Sequence, residues 1–154
     1  MRRRLFLCVL PALLLGACSR HELTPEQQVR ERIEEGRQLA EQRDAGGLAE
    51  LLSADFHGPD AITRRDMRAL LTRLFFRYRS PHFLVRIQEL HSLPDGRIRA
   101  RLLIAMASAP LALDKLAEIH ARLMALELRF RRDGDAWRVV QGKWRNASLA
   151  DFLH

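Results

Sequence analysis

The sequence predicts a single α+β domain in which helices come first and antiparallel strands follow. Two changes of rhythm carry this. Apolar residues recur every three or four positions at Val29, Ile33 and Leu39, and again at Met67, Leu71, Leu74 and Tyr78, as amphipathic helices require. From Phe83 onward the period becomes two, most clearly where Ile98, Ala100, Leu102, Ile104 and Met106 alternate with Arg97, Arg99 and Arg101. Helices and strands are segregated along the chain rather than interleaved, which argues against a parallel α/β sheet.

Each element has its own signals. Thr24-Pro25-Glu26-Gln27 supplies an N-cap, a first-turn proline and a capping box, and the helix runs to about Arg43 before Gly46-Gly47 breaks it. A short helix is expected over Leu48 to Ser53, and Ala54 to Asp60 reads as a loop or a short edge strand. Thr63 caps a third helix, with Asp66 near the positive end of the helix dipole, and Pro81 stops it. Four strands follow. The first carries Phe83, Val85 and Ile87 and ends at the turn Leu93-Pro94-Asp95-Gly96. The second is the Ile98 to Met106 strand, and Ser108 to Lys115 is an irregular crossing with a helical turn near Leu116. In the third, Met124, Leu126, Leu128 and Phe130 alternate with Glu127, Arg129 and Arg131. Asp133-Gly134-Asp135 turns into the last strand, Trp137 to about Arg145, and Ala147 to His154 ends in a small turn of helix. Trp144 has the opposite strand parity to Trp137, so with Trp137 in the core it should point outward, toward a protein contact or a homodimer.

Arg2 to Arg4, the apolar stretch Leu5 to Leu15, and the small residues Gly16 and Ala17 have the order of a secretory signal. The stretch is too short for a membrane-spanning helix, which needs roughly 20 residues. Leu15-Gly16-Ala17-Cys18 resembles the lipobox of bacterial lipoproteins. That resemblance implies that Cys18 is acylated and becomes the mature N-terminus. Ser19 after it favours the outer membrane of a Gram-negative bacterium, with the domain facing the periplasm. The expected organisation is a signal peptide at 1–17, a tether at 18–23 and one domain at 24–154. From Cys18 onward there are 23 basic and 19 acidic residues, so the formal +7 of the whole chain falls to +4. A nucleic-acid partner fails on compartment, and with Cys8 removed and Cys18 acylated no thiol pair is left for catalysis or metal binding.

The order helix, helix, short loop, helix, four strands resembles the nuclear transport factor 2-like superfamily, which includes the SnoaL-like polyketide cyclases, ketosteroid isomerase and scytalone dehydratase. Leu48-Ala49-Glu50-Leu51-Leu52 with Ala54-Asp55-Phe56 carries it, as do the helix start Thr63-Arg64-Arg65-Asp66-Met67 and the hairpin Asp133-Gly134-Asp135-Ala136-Trp137-Arg138-Val139, over about residues 25 to 146. The resemblance implies that the N-terminal helices pack in the concave face of a curved, mostly antiparallel four-stranded sheet, forming a cone that can hold a pocket. In ketosteroid isomerase-like members a tyrosine on the first helix and carboxyls lining the cone transfer the proton. Here the inward stripe of the first helix is Val29, Ile33 and Leu39, and the inward strand faces carry no acid.

Asp55 and His57 remain as acid–base candidates at the pocket mouth, against the reading in which Asp55 caps the loop and His57 is solvated. Tyr78 either hydrogen-bonds a ligand or closes the core with its hydroxyl at the rim. Arg97, Arg99, Arg101, Arg129 and Arg131 would form a basic sheet face for an anionic partner, or a solvated face that discourages edge association. No HxH or HExxH pair, phosphate loop or Gly-x-Ser-x-Gly motif occurs, so no metal or cofactor is expected. Three functions are compatible with these residues. The first is a non-catalytic lipoprotein of the cell envelope that binds a protein or a small apolar ligand. The second is an isomerase- or hydrolase-like enzyme using Asp55 and His57. The third is a lipid-handling accessory that touches anionic headgroups.

Overall fold

The structure, a computed structural model, describes residues 22–154. The signal segment and Cys18 lie outside the described residues. The elements are α1 (Pro25–Glu41), α2 (Ala45–Glu50), β1 (Leu52–His57), α3 (Arg64–Arg77), β2 (His82–Ser92), β3 (Ile98–Ala107), β4 (Arg122–Asp133), β5 (Ala136–Asn146) and α4 (Leu149–Leu153).

The helix starts follow their local chemistry. Thr24 Oγ1 accepts from the Gln27 amide at 3.2 Å while Gln27 Oε1 accepts from the Thr24 amide at 2.8 Å, the reciprocal box that satisfies two otherwise orphaned donors. Thr63 and Asp66 make the same box at α3, with distances of 2.9 and 3.3 Å. Asp44 Oδ1 accepts from the Gly47 amide at 2.7 Å and starts α2 three residues before the expected Leu48. Helix α2 therefore ends at Glu50, and the chain is free to extend from Leu52.

That extension changes the strand count. The sheet has five strands in the order β1-β5-β4-β3-β2, rather than four. β1, at the loop-or-edge-strand segment, pairs with β5 in parallel, and all other pairs are antiparallel. Gly96 and Gly134 have φ of +78° and +63°, the left-handed conformation that the two hairpin turns need and that glycine adopts at no steric cost.

Two bulges in the antiparallel pairs break the strict alternation, and the parallel β1–β5 pair shifts register as well. On β2, Ile87 pairs with Leu102 but Glu89 pairs with Arg101, so Gln88 is extra. On β5, Arg129 faces Gln141 while Phe130 faces Val139, so Val140 is extra. A bulge shifts every later side chain to the other face and bends the strand. This corrects the expectation for Trp144. Trp137 and Val139 face inward before the bulge, and Gly142 and Trp144 face inward after it, where Trp144 packs against the main core.

The described residues form two cores. The first lies between α1 and the inner sheet face and holds Val29, Phe56, Ile98, Leu102, Phe130, Trp137 and Val139. Trp137 Nε1 donates to Gln28 Oε1 at 2.9 Å, which fixes α1 to β5. The second lies on the opposite face, where Leu103 and Ala105 of β3 meet Leu116 of the β3–β4 crossing and Phe152 of α4. Alternation ends within β3, where Leu102 to Ala107 is apolar throughout and covered on both faces. The C-terminal helix is the lid of this second core. Its Ser148–Asp151 capping box, Arg145 at 3.1 Å from Asp151, and an Arg86 guanidinium donating to the Phe152 carbonyl hold it there.

Phe152→Ala should lower unfolding free energy by about 3–5 kcal/mol, since it empties a fully buried aromatic site. Leu153→Ala, at a side chain 65% exposed, should change it by under about 0.5 kcal/mol. Urea midpoints measure both.

The Asp151 carboxyl is held well below its ordinary value of 3.8, first by Arg145 and then by the Ser148 amide and hydroxyl. A carboxyl depressed in the folded state contributes stability above its unfolded pKa and loses it as pH falls through the folded value. Asp151→Asn should therefore melt below wild type at pH 7. The gap should close on acidification below pH 3.8, as followed by thermal unfolding across pH.

Candidate functional site

The helices do not fill the concave face of the sheet. Between them lies a cavity of about 250 Å³. Its walls are Ile33, Gly36 and Ala40 of α1, Leu48 of α2 with Leu51 just after it, and Met67, Leu71, Leu74 and Phe75 of α3. The sheet supplies Phe56, Phe83, Val85, Leu102, Ile104, Leu126, Leu128, Phe130 and Trp144.

One glycine is required by the packing beside the cavity. At Gly36 a Cβ would sit 3.4 Å from Leu51 Cδ1, an ordinary van der Waals contact. A Cβ on Gly58 would come within 2.9 Å of the Trp144 ring. Only glycine lets the β1–α3 connection cross that close to the indole.

The chemistry of the lining is one-sided. Its only charged side chains are Arg32 and Arg37, and both are engaged by carboxylates. Arg37 lies 2.7 Å from Glu34 and 2.7 Å from Glu41, and Arg32 lies 2.5 Å from Glu35. The Glu34 hydrogen bond is the largest cause that raises the Arg37 guanidinium above its ordinary value, and Arg37 in turn holds the Glu34 carboxyl below its usual range. Glu41 also accepts from the Phe83 amide at 3.1 Å, which ties the end of α1 to the start of β2. No carboxylate, imidazole, thiol or hydroxyl is among the lining residues. An apolar cavity of this kind recognises its content by shape and dispersion. An apolar cavity of only about 150 Å³ already stays dry and binds benzene in another protein.

The sequence candidates sit elsewhere. Asp55 and His57 are exposed on β1, with side chains outside the cavity lining. Asp55 belongs to a polar clasp. Arg131 donates to it at 2.9 and 3.0 Å, and the buried Ser53 hydroxyl lies 2.6 Å from Asp55 Oδ1 and 2.7 Å from Asp133 Oδ2. Arg131, then Ser53, hold the Asp55 carboxyl far below the ordinary range, so it stays ionised and carries no proton near neutral pH. The clasp joins β1 to β4 across the intervening β5 and secures the edge strand. His57 forms an isolated backbone bridge with Thr63, and its ring is exposed. Tyr78 is the half-buried C-cap of α3 and is not part of the lining.

The arginine face of the sheet is largely neutralised. Arg99 lies 2.9 Å and Arg101 3.5 Å from Glu89, which the β2 bulge turns toward them. Arg101 also stands opposite Glu127, and Arg97 lies 3.6 Å from Asp95. Arg131 is consumed by Asp55 and Asp133, while Arg129 stands between Arg99 and Gln141. The inward strand residues Leu102, Ile104, Leu126, Leu128 and Phe130, by contrast, converge on the cavity as their alternation indicates. Sequence reasoning did not single out Gly36, Leu48, Leu51 and Trp144 as cavity residues. The one signal was Gly36 itself, which stands at helical spacing between Ile33 and Leu39.

No family model and no curated protein matches the chain by sequence. Solved structures do match by shape. Aln2 from a Streptomyces species superposes with a TM-score of 0.67 at 13% identity, over 86% of this chain and 99% of that one. A putative scytalone dehydratase from Novosphingobium aromaticivorans superposes with a TM-score of 0.64 at 10% identity, over 79% and 83%. ActVI-ORFA from Streptomyces coelicolor gives 0.60 at 13% identity, over 79% and 94%. Identities this low speak to fold alone. Together with the helix–sheet topology, they show that the described residues share the nuclear transport factor 2-like cone fold of these structures.

Proposed function

We propose that the protein is a membrane-tethered, non-catalytic binding module of the cell envelope whose cone takes up a small apolar molecule. The observation that carries this reading is the cavity lining: apolar throughout, with its two arginines already neutralised and no group able to give or take a proton. Acylation of Cys18 at the lipobox-like Leu15-Gly16-Ala17-Cys18 would supply the tether and set the domain on the periplasmic side of the outer membrane.

The alternative is an enzyme acting in the same cone. It draws support from the fold likeness to a protein described as a putative scytalone dehydratase. Against it, general acid–base chemistry needs a donor or acceptor within about 3 Å of the substrate. In this chain the candidate Asp55 is an ionised partner of Arg131, outside the cavity lining.

Titration with 1-aminoanthracene, an apolar fluorophore, tests the reading. Wild type should bind one equivalent with enhanced emission. Leu126→Trp, which fills the cavity, should weaken binding at least about tenfold, the loss of about 1.4 kcal/mol, while circular dichroism confirms the fold. Asp55→Asn and His57→Gln should bind as wild type does. Undiminished binding by Leu126→Trp would place the probe elsewhere and overturn the reading. A loss confined to Asp55→Asn or His57→Gln would favour the enzyme.

A further inference from the structure

We infer that the solvent face of α3 is a docking surface for an anionic lipid bilayer, with Phe76 as the side chain that enters the interface. The inference does not depend on what fills the cavity or on acylation of Cys18.

The charge of the chain is concentrated here. Residues 64–79 hold six arginines and one aspartate, a net of +5, which exceeds the +4 of everything from Cys18 onward. Arg64 pairs with Glu50. Arg65, Arg68, Arg73, Arg77 and Arg79 are exposed, and none joins an ion pair among the described residues. This is the reverse of the sheet face, whose arginines are mostly matched by carboxylates.

Phe76 stands within this unmatched charge and is 91% exposed, whereas its neighbour Phe75 is 5% exposed. With 3.6 residues per turn, Phe76 shares its face with Ala69, Thr72 and Arg73 and points away from Met67, Leu71 and Leu74, which line the cavity. Water solvates an exposed phenyl ring poorly, so its position calls for an apolar environment supplied from outside. Guanidinium groups grip phosphates bidentately, and an aromatic ring among basic residues on a helix is the composition of an interfacial contact.

A bilayer fits this surface better than an acidic protein does. A protein interface builds its energy on a packed apolar cluster that meets a partner pocket. Here a single aromatic side chain projects from a field of cations. A headgroup layer accepts one ring at shallow depth and spreads negative charge under all the arginines at once. Docking would place the cavity wall formed by α3 against the membrane.

The full chain carrying Phe76→Trp, reconstituted into vesicles, tests this. The signal of Trp137 and Trp144 is subtracted with the wild-type chain. In phosphatidylglycerol vesicles at low salt, the indole at position 76 should shift to the blue and be quenched by brominated acyl chains. Both effects should fade at about 0.5 M salt, where surface charges are screened. Neither should occur in phosphatidylcholine vesicles, nor for an indole placed by Leu153→Trp. Adding R73Q and R77Q should lower the quenched fraction about fivefold or more.

An indole at 76 that stays unquenched in phosphatidylglycerol would overturn the inference. So would equal quenching in phosphatidylcholine, which would make charge irrelevant. A shift on adding soluble polyglutamate, with none on adding vesicles, would replace the bilayer by an acidic protein partner.

Discussion

The bulge at Val140 governs the concave side of this molecule. A strictly alternating β5 would put Trp137 and Trp144 on opposite faces. One extra residue, set where Phe130 faces Val139 and Arg129 faces Gln141, turns both indoles inward. Trp137 then anchors α1 through Gln28, and Trp144 walls the cavity and presses on the Gly58 corner. The same stretch of β5 receives β1, since the Val139 amide donates to the Leu51 carbonyl at 3.0 Å. Edge strand, curvature and cavity wall therefore meet at one irregularity. An extra residue bends its strand and increases local twist, and so it shapes a sheet that can wrap helices.

The outer face divides into two regions by chemistry. Toward the Ser92 end of β2, Glu89 and the arginines of β3 form an ion-paired, water-facing surface. Toward the other end the outward positions become Leu103, Ala105, Leu123 and Ala125, and Leu116 and Phe152 cover them. A sheet that is apolar on both faces needs two layers over it. The C-terminal helix is too short to persist by propensity, and it is held by packing of Phe152 and by the Asp151 carboxylate at its N-terminus.

Which arginines matter electrostatically follows from what stands opposite them, rather than from how many share a strand. Arg99, Arg101 and Arg131 look equivalent to Arg65, Arg73 and Arg77 in the sequence. The fold places Glu89, Asp55 and Asp133 in ion pairs with the first set, and among the described residues no carboxylate pairs with the second. Asp55 shows the same rule from the acid side. A carboxylate near a pocket is a catalytic candidate by residue type, but the Arg131 guanidinium makes it a structural counter-ion.

By itself the sequence determined the fold class, both threonine N-caps, the glycine turns and the inward strand residues that line the cone. Each of these rests on interactions within a few positions of the chain: side chain to nearby amide, φ at a single glycine, or the two-residue period of a strand. Only the tertiary structure decided the fifth strand, the inward turn of Trp144, the second core and the pairing state of each arginine. These depend on partners far apart in sequence, such as Asp55 with Arg131 and Arg86 with Phe152, and on bulges that reverse the parity of every residue after them. Local periodicity carries no record of where an extra residue will be inserted, because the two-residue period describes only the regular strand on either side of it.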